Sequence, residues 1–69
     1  MTALTITLNG DPREVPGPLT LAGLLAHLEL GPETVVVEHN RRIVRRGELA
    51  SHPVAAGDVV EIVHFVGGG

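Results

Sequence analysis

The chain has 69 residues, 43% of them apolar, and a formal net charge of −3, with five arginines and no lysine. That length means one domain, which buries only about 60% of the surface its unfolded form exposes, and the apolar share is too high for a disordered chain. The charge excludes a general attraction to nucleic acid, the single aromatic residue, Phe65, excludes a base-stacking platform, and the lack of cysteine excludes disulfides, a thiolate metal site and a side-chain persulfide.

No apolar stretch approaches the roughly 20 residues needed to cross a membrane. Met1-Thr2-Ala3-Leu4 has no basic region ahead of an apolar block, so no secretory signal is read there. The expectation is a cytoplasmic protein with neither membrane nor nucleic acid as partner.

Leu4, Ile6 and Leu8 alternate with Thr5, Thr7 and Asn9, the period of a half-buried strand. Asn9-Gly10 supplies the positive φ angles of a tight hairpin, which predicts a returning strand near Arg13 to Val15. Pro12 and Pro16 place that strand at a sheet edge. Thr20 sits where a helix cap belongs. Leu21, Leu24, Leu25 and Leu28 then follow the spacing of one helical face, predicting a helix over 20–29 that Gly31-Pro32 ends.

Thr34 to Val37 reads as a central strand, and Glu38-His39-Asn40 as a turn. Ile43-Val44 is a brief strand beside four arginines, and Glu48 to Ala50 is one helical turn. Gly57-Asp58 turns the chain into a last strand, Val59 to Val66. On it Val60, Ile62, His64 and Val66 share one face, and Val59, Glu61, Val63 and Phe65 share the other. A strand apolar on both sides is central, with one face over the helix and part of the other free for a partner.

One helix cannot bury its leucine face alone, and packing it across a mixed sheet of four or five strands solves that problem. The expected class is α+β, with the β-grasp architecture of ubiquitin. The domain is expected over residues 1–66, followed by a flexible glycine tail over 67–69.

The chain closes on Gly67-Gly68-Gly69. Glycine lacks a Cβ, so such an arm enters channels too narrow for other residues. On that reading the working group is the terminal carboxylate of Gly69. The other reading is a frayed end. Phe65 is either a core residue or an interface anchor beside the tail. His64 is either exposed or a partner contact. His27, His39, His52 and His64 have no ligand-like spacing, so no metal site is expected. Arg41, Arg42, Arg45 and Arg46 form either a solvated face or a docking surface for an acidic partner.

Three segments resemble one family. Gly57 to Gly69, with its Gly-Asp turn, hydrophobic strand and glycine end, resembles the ending of the sulfur carriers of thiamine biosynthesis. Leu8-Asn9-Gly10 matches as well. So does Val35 to Val44, where the family carries a strand, an Asn turn and an Ile-Val-Pro-Arg-like run. Arg45 stands where that proline often sits.

The resemblance implies a carrier rather than an enzyme. An adenylating enzyme using MgATP would activate the Gly69 carboxylate. A sulfur donor protein would convert it to a thiocarboxylate, and thiazole synthase would receive the sulfur. Gly68 and Gly67 would thread the partner active sites, with Val66, Phe65 and His64 beside them. No cofactor bound by the chain itself is implied.

The chemistry is consistent with this division of labour. A terminal carboxylate, with a pKa of about 3.3–3.7, is a stable anion and a poor electrophile at neutral pH. The chain has no lysine and no phosphate-cradling Gly-x-x-x-x-Gly-Lys loop, so activation falls to a partner. Three glycines reach at most about 10 Å. Two other classes stay open: a related carrier for molybdopterin or protein modification, and a β-grasp binding module whose glycine tail is incidental.

Overall fold

The computed structural model describes residues 2–65. The chain runs through β1 (Thr2–Leu8), β2 (Asp11–Gly17), β3 (Leu19–Thr20), α1 (Leu21–His27), β4 (Val35–His39), β5 (Arg42–Val44), β6 (Pro53–Val54) and β7 (Val59–His64). Short 3₁₀ segments lie at Pro32–Thr34 and Arg46–Ser51. The main sheet has five strands in the order β2-β1-β7-β4-β5, and β3 pairs with β6 in a small second sheet. β1 and β7 are parallel, and the other pairs of the main sheet are antiparallel. One helix across a mixed sheet of this order is the β-grasp fold, as the periodicities predict.

The two main hairpins turn for the same reason. Asn9 and Gly10 have φ of 49° and 87°, and Asn40 and Arg41 have φ of 51° and 71°. Two consecutive residues with positive φ match the right-handed twist of the flanking strands. β2 is longer than the Arg13–Val15 span the sequence suggests, because its pairing with β1 runs from Thr2–Gly17 to Leu8–Asp11. It is an edge strand, which is where Pro12 and Pro16 can sit without breaking a ladder.

The helix starts as expected. Thr20 Oγ1 accepts from the Gly23 amide at 3.1 Å. Leu21, Leu24 and Leu25 are buried against Ile6, Val15, Val37, Val60 and Ile62, while Leu28 packs partly against them.

The helix ends earlier than predicted, at His27, and Gly31-Pro32 is not its stop. Glu29 takes φ +61°, its amide bonds to Ala26 O, and the Leu30 amide bonds to Leu25 O. This pair of bonds is a Schellman closure, with a glutamate where glycine is usual.

Three further expectations are corrected. Glu38 and His39 belong to β4 rather than to a turn, because β4 stays paired with β7 and β5 through His39. The single helical turn at Glu48 to Ala50 is part of a longer 3₁₀ segment that buries Leu49. β7 ends at His64, although the Phe65 amide still bonds to Thr34 O at 2.9 Å. Among the described residues no helix is long and apolar enough to cross a membrane.

Candidate functional site

Gly67, Gly68, Gly69 and Val66, named from the sequence, lie outside the described residues. The strand that leads to them is described. β7 lies at the centre of the sheet, between β1 and β4. Its inner residues Val60 and Ile62 are buried, so the core fixes its height above the helix. β4 covers one side along its length, from His39–Val60 to Val35–His64. β1 pairs only through Thr7–Val59 and Leu8–Val60, then turns away.

Side chains from the two hairpin turns complete the hold on β7. Asn40 Oδ1 accepts from the Val59 amide at 2.9 Å, and its own amide donates to Val59 O at 2.7 Å. Asn9 Oδ1 accepts from the Ile62 amide at 2.8 Å, and its amide donates to Val60 O at 2.9 Å. One asparagine thus grips the start of β7 and the other grips it beyond the end of β1.

Asp58, just before β7, ties the same region together. Its carboxylate accepts from the Ala55 amide at 2.8 Å and from the Asn40 side-chain amide at 3.3 Å, and its Oδ2 lies 2.7 Å from His39 Nε2. Partial burial pushes the Asp58 carboxyl up. The Ala55 amide, His39 and Asn40 outweigh that effect and hold it below its ordinary value. Sequence reading assigned the turns at these positions but not the side-chain bonds. Asparagine at both turns and aspartate after Gly57 were the available signals. His39 and His52 also meet, edge to face with ring centroids 5.0 Å apart, which their separation in sequence gave no reason to expect. Among the described residues no group of three or more metal-ligating side chains assembles.

The outer face of the sheet, away from the helix, is unusually apolar. Ile43 is 70% exposed, Val63 60%, Phe65 58% and Val59 40%. The exposure of Phe65 removes the core reading for that residue. His64 is exposed at the end of β7. Val36 opposes Val63 across the β4–β7 pair, and Glu38 opposes Glu61 two residues along. Ile43 flanks Glu38 from β5. Phe65, Val36, Ile43, Arg45 and Arg46 line an open hollow of about 230 Å³ at the β4–β5 edge. The structure therefore brings Phe65 and two of the four clustered arginines together. Among the described residues no carboxylate lies within ion-pairing distance of an arginine.

A chemically usable arrangement follows. A central strand paired on both sides precedes the glycine segment in sequence, beside an apolar face with cationic and acidic flanks. Such a face suits recognition by another protein.

The ThiS family model matches residues 6–69. The sulfur carrier protein ThiS of Bacillus subtilis is 42% identical over 50 residues, covering 72% of this chain and 76% of the relative. The thiazole synthase of Magnetococcus marinus is 42% identical over 66 residues, covering 96% of this chain and 20% of the relative. The chain thus spans about a fifth of the length of the thiazole synthases it matches. A crystal structure of the thiamine biosynthesis protein ThiS from Geobacter metallireducens superposes with a TM-score of 0.82 at 36% identity, covering 96% of this chain and 100% of that one. With the fold and the sequence from residue 6 through residue 69 in agreement, the chain belongs to the ThiS family.

Proposed function

We propose that the chain is a sulfur carrier of thiamine biosynthesis and that the Gly69 carboxylate is its working group. A partner enzyme joins that carboxylate to AMP from MgATP, releasing pyrophosphate. The outer sulfur of a donor protein's persulfide then attacks the acyl carbon and expels AMP, and a thiol reductant cleaves the resulting S–S bond, leaving a thiocarboxylate and the donor's thiol. Thiazole synthase receives this sulfur for ring formation. The observation that carries the reading is the family match, which runs through the glycine segment to residue 69. The Bacillus relative bears the name of a sulfur carrier, and two thiazole synthases contain a stretch matching nearly this whole chain.

The chain's own contribution is presentation. The central β7 supplies a rigid base, and the exposed strip of Ile43, Val63 and Phe65 supplies apolar docking area. His64, Phe65 and Val66 then lie at the partner's channel, with Gly67 and Gly68 inside it. Adenylation turns a poor electrophile into one with a good leaving group, and the partner's magnesium offsets the repulsion between two anions.

The test is intact-protein mass spectrometry after incubation with the adenylating enzyme of the same organism, MgATP and a sulfur donor. The chain should gain the mass difference of sulfur for oxygen, located on the C-terminal peptide. A chain extended by one residue after Gly69 should gain far less. Equal loading of the extended chain, or sulfur located elsewhere, overturns the proposal.

A further inference from the structure

We propose that Asn9 is a positioning residue for the group-transfer step, acting through β7 to fix where the residues after it leave the body. The inference rests on the carrier reading above and extends it to a residue distant in sequence from the glycine segment.

The argument begins with the register. Backbone groups alternate in direction along a strand, so residues 60, 62 and 64 of β7 face the β1 side, and 59, 61, 63 and 65 face β4. The bonds agree: Val60 O and the Ile62 amide both meet Asn9, whereas the Phe65 amide meets Thr34 on the β4 side. β1 pairs with β7 only as far as Leu8–Val60. Asn9 has φ +49° and turns the chain away. Its backbone amide and its side-chain oxygen then supply the two ladder bonds of one further strand residue. Among the described residues, nothing pairs with β7 on this side beyond Ile62.

Among the described residues Asn9 is thus the last backbone partner of β7 on the β1 side. Without its oxygen, the end of β7 is held from β4 alone and can swing in the plane of the sheet. The Ile62 amide, half-buried in its bond to Asn9, would also lose its partner. In-line attack of a carboxylate on a phosphate depends on placement. A displacement of about 1 Å costs on the order of 100-fold in rate. The outer face does not include Asn9, so docking and positioning separate kinetically.

The experiment compares N9G, N9D and N40G with the parent chain, using the adenylating enzyme of the same organism and MgATP. Glycine keeps the positive φ and removes the acceptor, whereas aspartate keeps an acceptor oxygen in the same place. N40G controls for lost stability, because it removes the equivalent bond at the start of β7. All variants are assayed well below their unfolding midpoints. N9G should lower kcat by about 10-fold or more, within the range a displacement of about 1 Å produces, with KM nearly unchanged. N9D should restore most of the rate, and N40G should not reproduce the kcat loss. Amide exchange at Ile62 should rise in N9G and stay near the parent value in N9D.

Parent-like kcat for N9G, an equal kcat loss in N40G, or a change confined to KM overturns the proposal. If the parent chain is not adenylated at all, the carrier reading fails instead. Unchanged exchange at Ile62 in N9G then still overturns the hold assigned to Asn9.

Discussion

Single residues carry two unusual features of this fold. Glu29 closes the helix at φ +61°, a conformation that costs an L-residue about 1–2 kcal/mol. Glycine avoids that cost but adds about 0.5–1 kcal/mol of unfolded-state freedom. Glu29→Gly should therefore stabilise the fold by up to about 1 kcal/mol, read by chemical unfolding. A clear loss of stability would mean that the glutamate side chain contributes more than its backbone costs.

Asp58 is the second case. Its carboxyl titrates below the ordinary value of 3.8, because the Ala55, His39 and Asn40 bonds outweigh the opposing effect of burial. As pH falls, the unfolded chain takes up this proton before the folded one does. The stabilisation is therefore complete above the ordinary carboxylate range, declines as pH falls through the folded value, and is gone below it. Asp58→Asn should be less stable than the parent at neutral pH, and the two stability curves should converge in acid. Parallel curves across that window would remove Asp58 from the account.

At the scale of elements, the helix and β7 meet through a small set of leucines. Leu25 is 2% exposed and also sits at the Schellman closure. Leu25→Ala should cost about 2–5 kcal/mol, the range for a buried leucine that leaves a cavity. The outer face of the same strands carries a feature that does not serve stability. Glu38 and Glu61 are direct cross-strand partners of like charge. Opposed like charges are unfavourable, on a scale of about 0.2–1 kcal/mol. Glu38→Gln should raise stability by a few tenths of a kcal/mol. If a cationic group of the partner answers this pair, the same variant should bind the partner more weakly. A stabilised variant with unchanged affinity would confine the pair to the free protein.

For the whole molecule, the consequence is a division between its two faces. The inner face builds the core, and the outer face keeps Ile43, Val63 and Phe65 in solvent. The apolar area left exposed on so small a domain fits the docking role proposed for this face. Phe65→Ala should weaken binding of the adenylating enzyme by tenfold or more, about 1.4 kcal/mol, as expected of an interface anchor. Its unfolding midpoint should barely change, because the side chain is 58% exposed. Parent-like affinity with an intact fold would move the docking surface elsewhere.

Local patterns determined much of this protein. Period-two alternation marked β1, a run apolar on both faces after Gly57-Asp58 marked β7, leucine spacing marked α1, Asn-Gly marked the first hairpin, and two prolines marked β2 as an edge. These signals are legible because each depends on residues within a turn or two of one another. The helix stop was misplaced because Gly31-Pro32 is the strong local signal, whereas the closure at Glu29 follows from Leu30 packing back onto the core. What only the tertiary structure decided is what depends on register. The two-residue pairing of β1 with β7, the Asn9–Ile62 bond across 53 positions and the Glu38–Glu61 opposition are examples. Phe65 was undecided from sequence because alternation assigns a residue to a face and leaves open whether that face is covered. The helix covers one face of the sheet, and that packing left Phe65 in solvent.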